Sequence, residues 1–288
     1  MAEPISPLDQ DIRGVDALDI PRRDRRSLAL AVWRSLWPKL AAVALVLVIW
    51  ELVVLSGWKP TYVLPPPYVV FGRLGELITT ADFWKAVAIT MQRALFGFAL
   101  AISLGTILGL AVSQSSILRR AVGSMITGLQ SMPSIVWFPF AILLFGLTEG
   151  AILFVVVLGA APAIANGLIS GIDNIPPILL RAGQVLGARG LNSWRHVVLP
   201  AALPAYVAGL KQGWAFAWRS LMAGELLVII ASRPSIGVRL QFARELSDSA
   251  GLMAMMIVVL AVGLIVDGAV FGNIERWIRR NRGLEVSR

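Results

Sequence analysis

The stretch RAGQVLGARGLNSWRHVVLPAALP, residues 181–204, is basic, punctuated by glycines and closed by prolines, yet it lies between two of the most apolar stretches of the chain. From Leu191 onward, Leu191, Trp194, Val197 and Val198 fall on one helical arc, and Asn192, Arg195 and His196 on the other. Gly187 and Gly190 interrupt the preceding turn, where a backbone without Cβ permits a sharp bend. Pro200 and Pro204 are expected to stop the helix and redirect the chain. The segment thus reads as two short helical pieces along a membrane face, apolar on one side and polar on the other. Such an element either seats a protein among lipid headgroups or docks into a partner's groove through its apolar residues.

The flanks make the membrane reading necessary. Of the 288 residues, 57% are hydrophobic and 15% charged, and the mean hydropathy is +0.75. Soluble domains are less apolar and carry more charge. The apolar residues come in blocks, and about 20 residues cross a bilayer as a helix. Six spans are expected: 40–57, 93–112, 122–147, 151–172, 205–231 and 251–271. The fold class is therefore an all-α integral membrane protein of six transmembrane helices, in contact with the lipid bilayer.

Charge sets the orientation. The net charge is +9, and most Lys and Arg precede the first span, follow the sixth, or sit at Arg119, Arg120, Arg181, Arg189 and Arg195. Basic residues are retained on the cytoplasmic side, so both termini and the 181–204 segment are expected there. That distribution argues against nucleic-acid binding, the usual alternative for a basic chain. Residues 1–38 read as a mobile cytoplasmic tail, 39–275 as the membrane domain with a cytoplasmic loop at 173–204, and 276–288 as a basic tail.

On the outer side, Pro65, Pro66 and Pro67 fix an extended stretch. Val69, Val70, Leu74 and Leu77 then recur at helical spacing, as in a short interfacial helix, and Asp82 is the expected cap of the next helix. Gly105 and Gly109, and Gly167 and Gly171, form GxxxG pairs of the kind that let helices approach closely in lipid.

The chemistry the chain lacks narrows its function. It has no cysteine and one histidine, so thiolate sites and cysteine nucleophiles are excluded, and no metal site, catalytic residue or cofactor is expected. There is no GxxxxGK[ST] loop for ATP phosphates, so energy comes from a partner or from an ion gradient. Charges inside spans usually face protein or a wet path. Arg219 is expected either to line an anion route or to take a structural role, in an ion pair for which Glu225 is the nearby candidate or in a dimer-interface contact. Glu51 and Asp267 lie near span ends and read as structural, and Lys211, early in the fifth span, is expected to snorkel inward. Met132, Pro133, Ser134 and Trp137 form either a gate or a kinked packing helix. Trp214 and Trp218 are either path residues or packing aromatics, and His196 reads as an ordinary interfacial residue.

The 181–204 segment resembles the cytoplasmic loop of binding-protein-dependent ABC transporter permeases, whose pattern is Glu-Ala-Ala, three residues, Gly, and later an apolar-Pro pair. Here Arg181, Ala182 and Gly183 stand at the Glu-Ala-Ala positions, Gly187 at the Gly, and Leu199 and Pro200 at the apolar-Pro pair. Arg181 and Gly183 depart from the pattern. LPPP (64–67), QRALFGFALAISLGTILGL (92–110), MPSIVWFP (132–139) and WRSLMAGELL (218–227) resemble the sulfonate, nitrate and taurine branch. The resemblance implies the permease subunit of a type I ABC importer, a transporter rather than an enzyme, built as a homodimer. Two ATPase subunits, which hold the ATP and magnesium, would dock at Arg181, Ala182, Gly183, Leu186, Gly187, Ala188, Leu199 and Pro200. An extracytoplasmic solute-binding protein would deliver a small anion to a path including Met132, Pro133, Trp137, Trp218, Arg219 and Glu225. A bacterial inner membrane is implied as its location. The competing expectation is a gradient-driven secondary transporter, which would want paired carboxylates or broken helices at mid-membrane.

Overall fold

A computed structural model describes residues 25–281. The first 24 residues of the tail expected over 1–38, and the basic residues beyond 281, lie outside the described residues. Among the described residues every regular element is helical. Residues up to Pro60 and residues from Thr61 form two compact units.

The first unit holds α1 (Arg25–Leu55), which contains Pro38. Its apolar window, Leu36–Leu55, is long enough to cross a membrane. The helix extends well upstream of the expected span and includes residues assigned to the tail. Glu51 lies in its last turns, near a span end as expected.

In the second unit, α2 (Pro67–Ile78) is followed by α3 (Ala81–Gln114), α4 (Ser116–Ser131) and a short 3-10 turn (Ser134–Trp137). Next come α5 (Phe138–Phe145), α6 (Glu149–Asp173) and α7 (Pro177–Val185). Leu191–Ser193 and a π turn (Trp194–Val198) lead into α8 (Leu199–Leu227). The chain closes with α9 (Ile236–Glu245), α10 (Ser249–Val266), a second π turn (Asp267–Phe271) and α11 (Gly272–Asn281).

The architecture is organised around α6, which packs along α8 on one side and α3 on the other. Small residues make this possible, because helices in lipid gain from close backbone approach. A Cβ on Gly105 would stand 2.6 Å from the Ala161 carbonyl oxygen, and one on Gly109 3.0 Å from that of Ala165. Across α6, a Cβ on Gly167 would meet the Gly209 Cα at 2.5 Å, and one on Gly171 the Ala202 carbonyl at 2.7 Å. Both GxxxG pairs therefore mark real helix crossings. Ion pairs join further elements: Arg119 to Asp173 at 2.7 Å, and Lys211 to Asp267 at 3.7 Å and Glu275 at 3.4 Å. Asp267 thus sits in a structural ion pair, and Lys211, expected to snorkel inward, pairs with it and with Glu275.

Several expectations are corrected. The span expected over 122–147 is broken: α4 and the helical segment Ser134–Phe145 are bent by 103° at Met132–Pro133. Pro133 has no N–H for the Leu129 carbonyl, and Met132 adopts an extended conformation (φ −80°, ψ 132°). The expected cap Asp82 is displaced by Thr80, whose Oγ1 accepts from the Phe83 N–H at 3.3 Å. Asp82, two residues into the chain beyond that cap, pairs instead with Lys85 at 3.6 Å. Pro200 and Pro204 do not stop a helix. Pro200 opens α8, where its missing N–H costs nothing, and Pro204 lies inside it.

Four helical stretches among the described residues are long and apolar enough to span a membrane, or five with the bent pair counted as one span. The helix matching the expected fifth span, α8, is not among them. It buries Gly209, Gly213, Trp214, Ala217, Ser220, Leu221 and Glu225 within protein, so its composition answers to neighbouring helices rather than to lipid. The helix α2 forms where its spacing placed it, with Val70 fully buried. Arg73 on α2 bonds Glu76 at 2.8 Å and Asp248 at 3.2 Å. Hydrogen bonding to Glu76, then to Asp248, holds its guanidinium above the ordinary arginine value.

Candidate functional site

Two features stand apart from the packed helices: a cavity at the break in the third span, largely apolar with a few polar groups in its wall, and the 181–204 loop. The cavity measures about 300 Å³ and is lined by residues 129–135, Trp137, Leu158, Gly159, Phe216 and Arg219. The break at Pro133 opens it. On one side the chain turns away from α4, while α6 supplies Leu158 and Gly159 and α8 supplies Phe216 and Arg219. The expected path residues Met132, Pro133, Trp137 and Arg219 meet here, although Arg219 is more than 80 residues away in sequence.

Arg219 is exposed. Its Nε donates to the Ala215 carbonyl at 3.0 Å, and its guanidinium lies 5.1 Å from the Phe216 ring centre. Among the described residues no carboxylate comes within ion-pair reach of it. Arg219 also borders a second cavity of about 640 Å³ between α8 and α10, walled by Trp214, Trp218, Met222, Leu260 and other apolar side chains. Trp218 belongs to that apolar cavity and stacks on Trp214, with ring centres 6.1 Å apart.

Glu225 lies elsewhere and is not the partner of Arg219. Six residues along a helix is about 240° of rotation at ~100° per residue, so the two side chains diverge. Glu225 is fully buried and faces α3. Arg93 Nη1 donates to its Oε1 at 2.9 Å, Thr90 Oγ1 donates to the carboxylate at 2.9 Å, and the Gly237 N–H donates to Oε2 at 3.0 Å. Thr90 in turn accepts from the Ile236 N–H at 3.0 Å. Arg93, also buried, turns its other edge to Glu149, with Nε–Oε2 at 2.7 Å and Nη2–Oε1 at 2.6 Å. Arg233 approaches the same Glu149 at 3.4 Å and donates to Gln92 at 2.7 Å.

A buried charge is tolerable only when paired and hydrogen-bonded, and here every partner is supplied. The network pins the start of α9 and the end of α8 to α3 and α6. Thr90, Arg93, Glu149 and Gly237 were missed by sequence reasoning. The available signal was that an arginine and two glutamates sit in or beside apolar helices, where charges must find each other.

The loop is built around Gly187. The helix α7 ends with Gly187 at φ +83°, a conformation that favours glycine. The Ala188 N–H reaches back to the Gly183 carbonyl at 2.8 Å, and the Gly187 N–H to that of Gln184 at 3.0 Å. This is the Schellman pattern, which satisfies the last helix carbonyls and turns the chain. Gly183 is buried, and a Cβ there would meet Val197 Cγ2 at 2.7 Å. The departure from Ala at this position thus lets α7 sit on the π turn.

That π turn carries the Leu199 N–H to the Trp194 carbonyl, just ahead of Pro200. Val198 is buried, whereas Leu191, at the start of the same apolar arc, is exposed. Val185, Leu186 and Leu191 are 85–87% exposed, so three apolar side chains tip the bend. Arg181 and Ala182 are exposed on α7. His196 contacts only the Asn192 carbonyl, at 3.1 Å, in keeping with an ordinary role.

Residues 101–280, which include the cavity and the loop, match the family model described as binding-protein-dependent transport system inner membrane component. An ABC transporter permease protein of Methanocaldococcus jannaschii is 30% identical over 233 residues, covering 80% of this chain and 86% of that one. An aliphatic sulfonates transport permease protein of Escherichia coli is 30% identical over 236 residues, covering 82% and 89%. The solved structure of an amino acid ABC transporter aligns with a TM-score of 0.56 at 15% identity, covering 72% of this chain and 97% of that one. That last likeness concerns the fold alone.

Proposed function

The chain belongs to the binding-protein-dependent transport system inner membrane component family, and from that premise we propose that it is the membrane-spanning permease subunit of an ATP-driven importer of a small anionic solute. It acts as a homodimer in the cytoplasmic membrane of its cell. Two ATPase subunits dock at the 181–204 loop, and an external solute-binding protein delivers cargo to the opposite face. ATP and magnesium reside on the ATPase. The sulfonate relative supports the anion class, as does Arg219, a cation in the cavity wall with no carboxylate in ion-pair reach among the described residues.

The observation that carries the docking role is the apolar tip of the loop. Val185, Leu186 and Leu191 stand almost wholly exposed on a bend held by two backbone hydrogen bonds. Exposed apolar side chains on a preorganised bend suit insertion into a partner's groove, because little ordering entropy is lost on binding. The π turn joins the bend directly to α8, so a push on the tip travels along a helix that borders the cavity.

The test is co-purification with a P-loop ATPase, followed by solute uptake into vesicles. Uptake that needs ATP and survives collapse of ion gradients is expected. Uptake abolished by an ionophore with ATP present refutes the reading in favour of a gradient-driven carrier.

A further inference from the structure

Resting on the anion-importer reading, we propose that the cavity at the Pro133 break is a discrete binding site for the oxyanion head of a small organic solute, so that the permease itself selects its cargo. Its volume, about 300 Å³, sits at the low end of the ~300–1,000 Å³ range of small-molecule sites, which sets the size of the guest. Its charge comes from Arg219, unneutralised among the described residues.

Two unpaired polar groups lie close by, one in the cavity wall and one behind it. Gln130 lines the cavity, and its Nε2 is shielded from solvent with no hydrogen-bond partner among the described residues. Ser220 is fully buried, and its Oγ also has no partner. It presses on Gly159 of the cavity wall, where a Cβ would stand 2.7 Å from that Oγ. Buried polar groups are almost always paired in native proteins. A cation and an unpaired amide donor in the wall of one small cavity are the complement of a sulfonate or carboxylate head. Trp137 and Phe216 offer apolar surface to the remainder of the solute.

The other cavity beside Arg219 is walled almost entirely by apolar side chains. An anion therefore finds its hydrogen bonds on the Pro133 side. A solute carrying a cation and no anionic group meets Arg219 unscreened and is rejected.

Methanesulfonate is the probe, titrated onto the full chain in lipid nanodiscs without ATP or ATPase and followed by tryptophan fluorescence and calorimetry. Saturable binding is expected. It is lost in Arg219→Gln, kept in Arg219→Lys, and weakened about tenfold or more in Gln130→Leu, since a hydrogen bond to a charged group is removed. Methylammonium should give no saturable signal. Absence of saturable methanesulfonate binding to the unmodified chain, equal binding by Gln130→Leu, or binding of methylammonium overturns the proposal. If uptake proves ATP-dependent yet methanesulfonate never binds the permease, the importer reading stands and this site falls. If methanesulfonate binds but uptake ignores ATP, the importer reading falls instead.

Discussion

Removing the carboxylate of Glu225 tests the buried network most directly. The side chain has no solvent exposure and receives hydrogen bonds from Thr90, Arg93 and Gly237. Glu225→Ala leaves Arg93 with one counterion and strands the Gly237 N–H. Breaking a buried pair from one side costs roughly 3–5 kcal/mol, against a total stability of about 5–15 kcal/mol. At roughly 2–4 °C per kcal/mol for a chain of this size, the thermal midpoint should fall by on the order of 10 °C. Glu225→Gln is the sharper variant, because it preserves shape. Its amide offers one accepting oxygen and one donating nitrogen where three donors converge, so one donor must face another, at about 1–3 kcal/mol. The assay is heating in detergent followed by size-exclusion chromatography of the surviving monodisperse fraction. A second change separates charge from shape. In the double variant Arg93→Met with Glu225→Ala, both buried charges go, while Glu149 keeps Arg233 at 3.4 Å. The double variant should therefore be more stable than Glu225→Ala alone. A midpoint for Glu225→Ala within a degree of the unmodified chain, or a double variant worse than the sum of its parts, refutes the reasoning.

Other outcomes follow from single contacts. Gly187→Val forces a β-branched residue to φ +83° where open space surrounds it, so the cost is backbone strain of about 1–2 kcal/mol. Folding should survive while ATP hydrolysis and uptake lose their fixed ratio in reconstituted complexes, and Gly187→Asn should be milder. Gly209→Leu places a side chain where even a Cβ would be 2.7 Å from the Gly167 Cα; α6 and α8 must separate, and the variant should not survive detergent extraction. Gly128→Ala meets nothing within 4 Å and should stabilise α4 by about 0.5–1 kcal/mol through helix propensity, read as a raised midpoint. Pro133→Ala restores the missing N–H, yet Phe138 remains wholly buried against Gly224. The bend should persist, as paired spin labels on α4 and α5 in this cysteine-free chain would report; a straightened segment contradicts it.

How much of this was legible depended on whether the deciding interaction was local. The apolar windows of α1, α3, α6 and α10 carried their own signal, because lipid-facing length is a property of one segment. The glycine pairs at 105/109 and 167/171 also announced themselves, since close crossings require small residues at a fixed spacing. One of the alternatives weighed for Arg219 failed. Arg219 and Glu225 were paired on nearness in sequence, though the helical angle between them already placed them on different faces. The true partner, Arg93, lies 132 residues away, and no pattern within one segment encodes that distance. Pro133 was rightly suspected of breaking a helix. The size of the bend, however, is set by where Phe138 finds burial, against α6 and α8. The loop was the clearest case of partial legibility. Gly187 was read as a bend, but that the apolar arc would divide, with Val198 buried and Leu191 exposed, followed only from the tertiary packing of the turn.

One element links all of these parts. The helix α8 begins at the π turn of the docking loop, carries Gly209 at the α6 crossing, presents Arg219 to the cavity and ends with Glu225 in the buried network. Its 29 residues reach roughly 44 Å at 1.5 Å per residue. A helix fused to α6 by glycine contacts along its length resists bending there, so displacement at the loop moves α6 and α8 as a pair. The segments free to respond differently are those held by fewer contacts, namely α4 and the turn at Pro133. In the proposed importer, a push from the ATPase therefore changes the spacing between the α6–α8 pair and the Pro133 break. That spacing is the cavity itself. Site opening and docking-loop movement are thereby one motion, with the Arg93–Glu225 network fixing the far end against which the lever works.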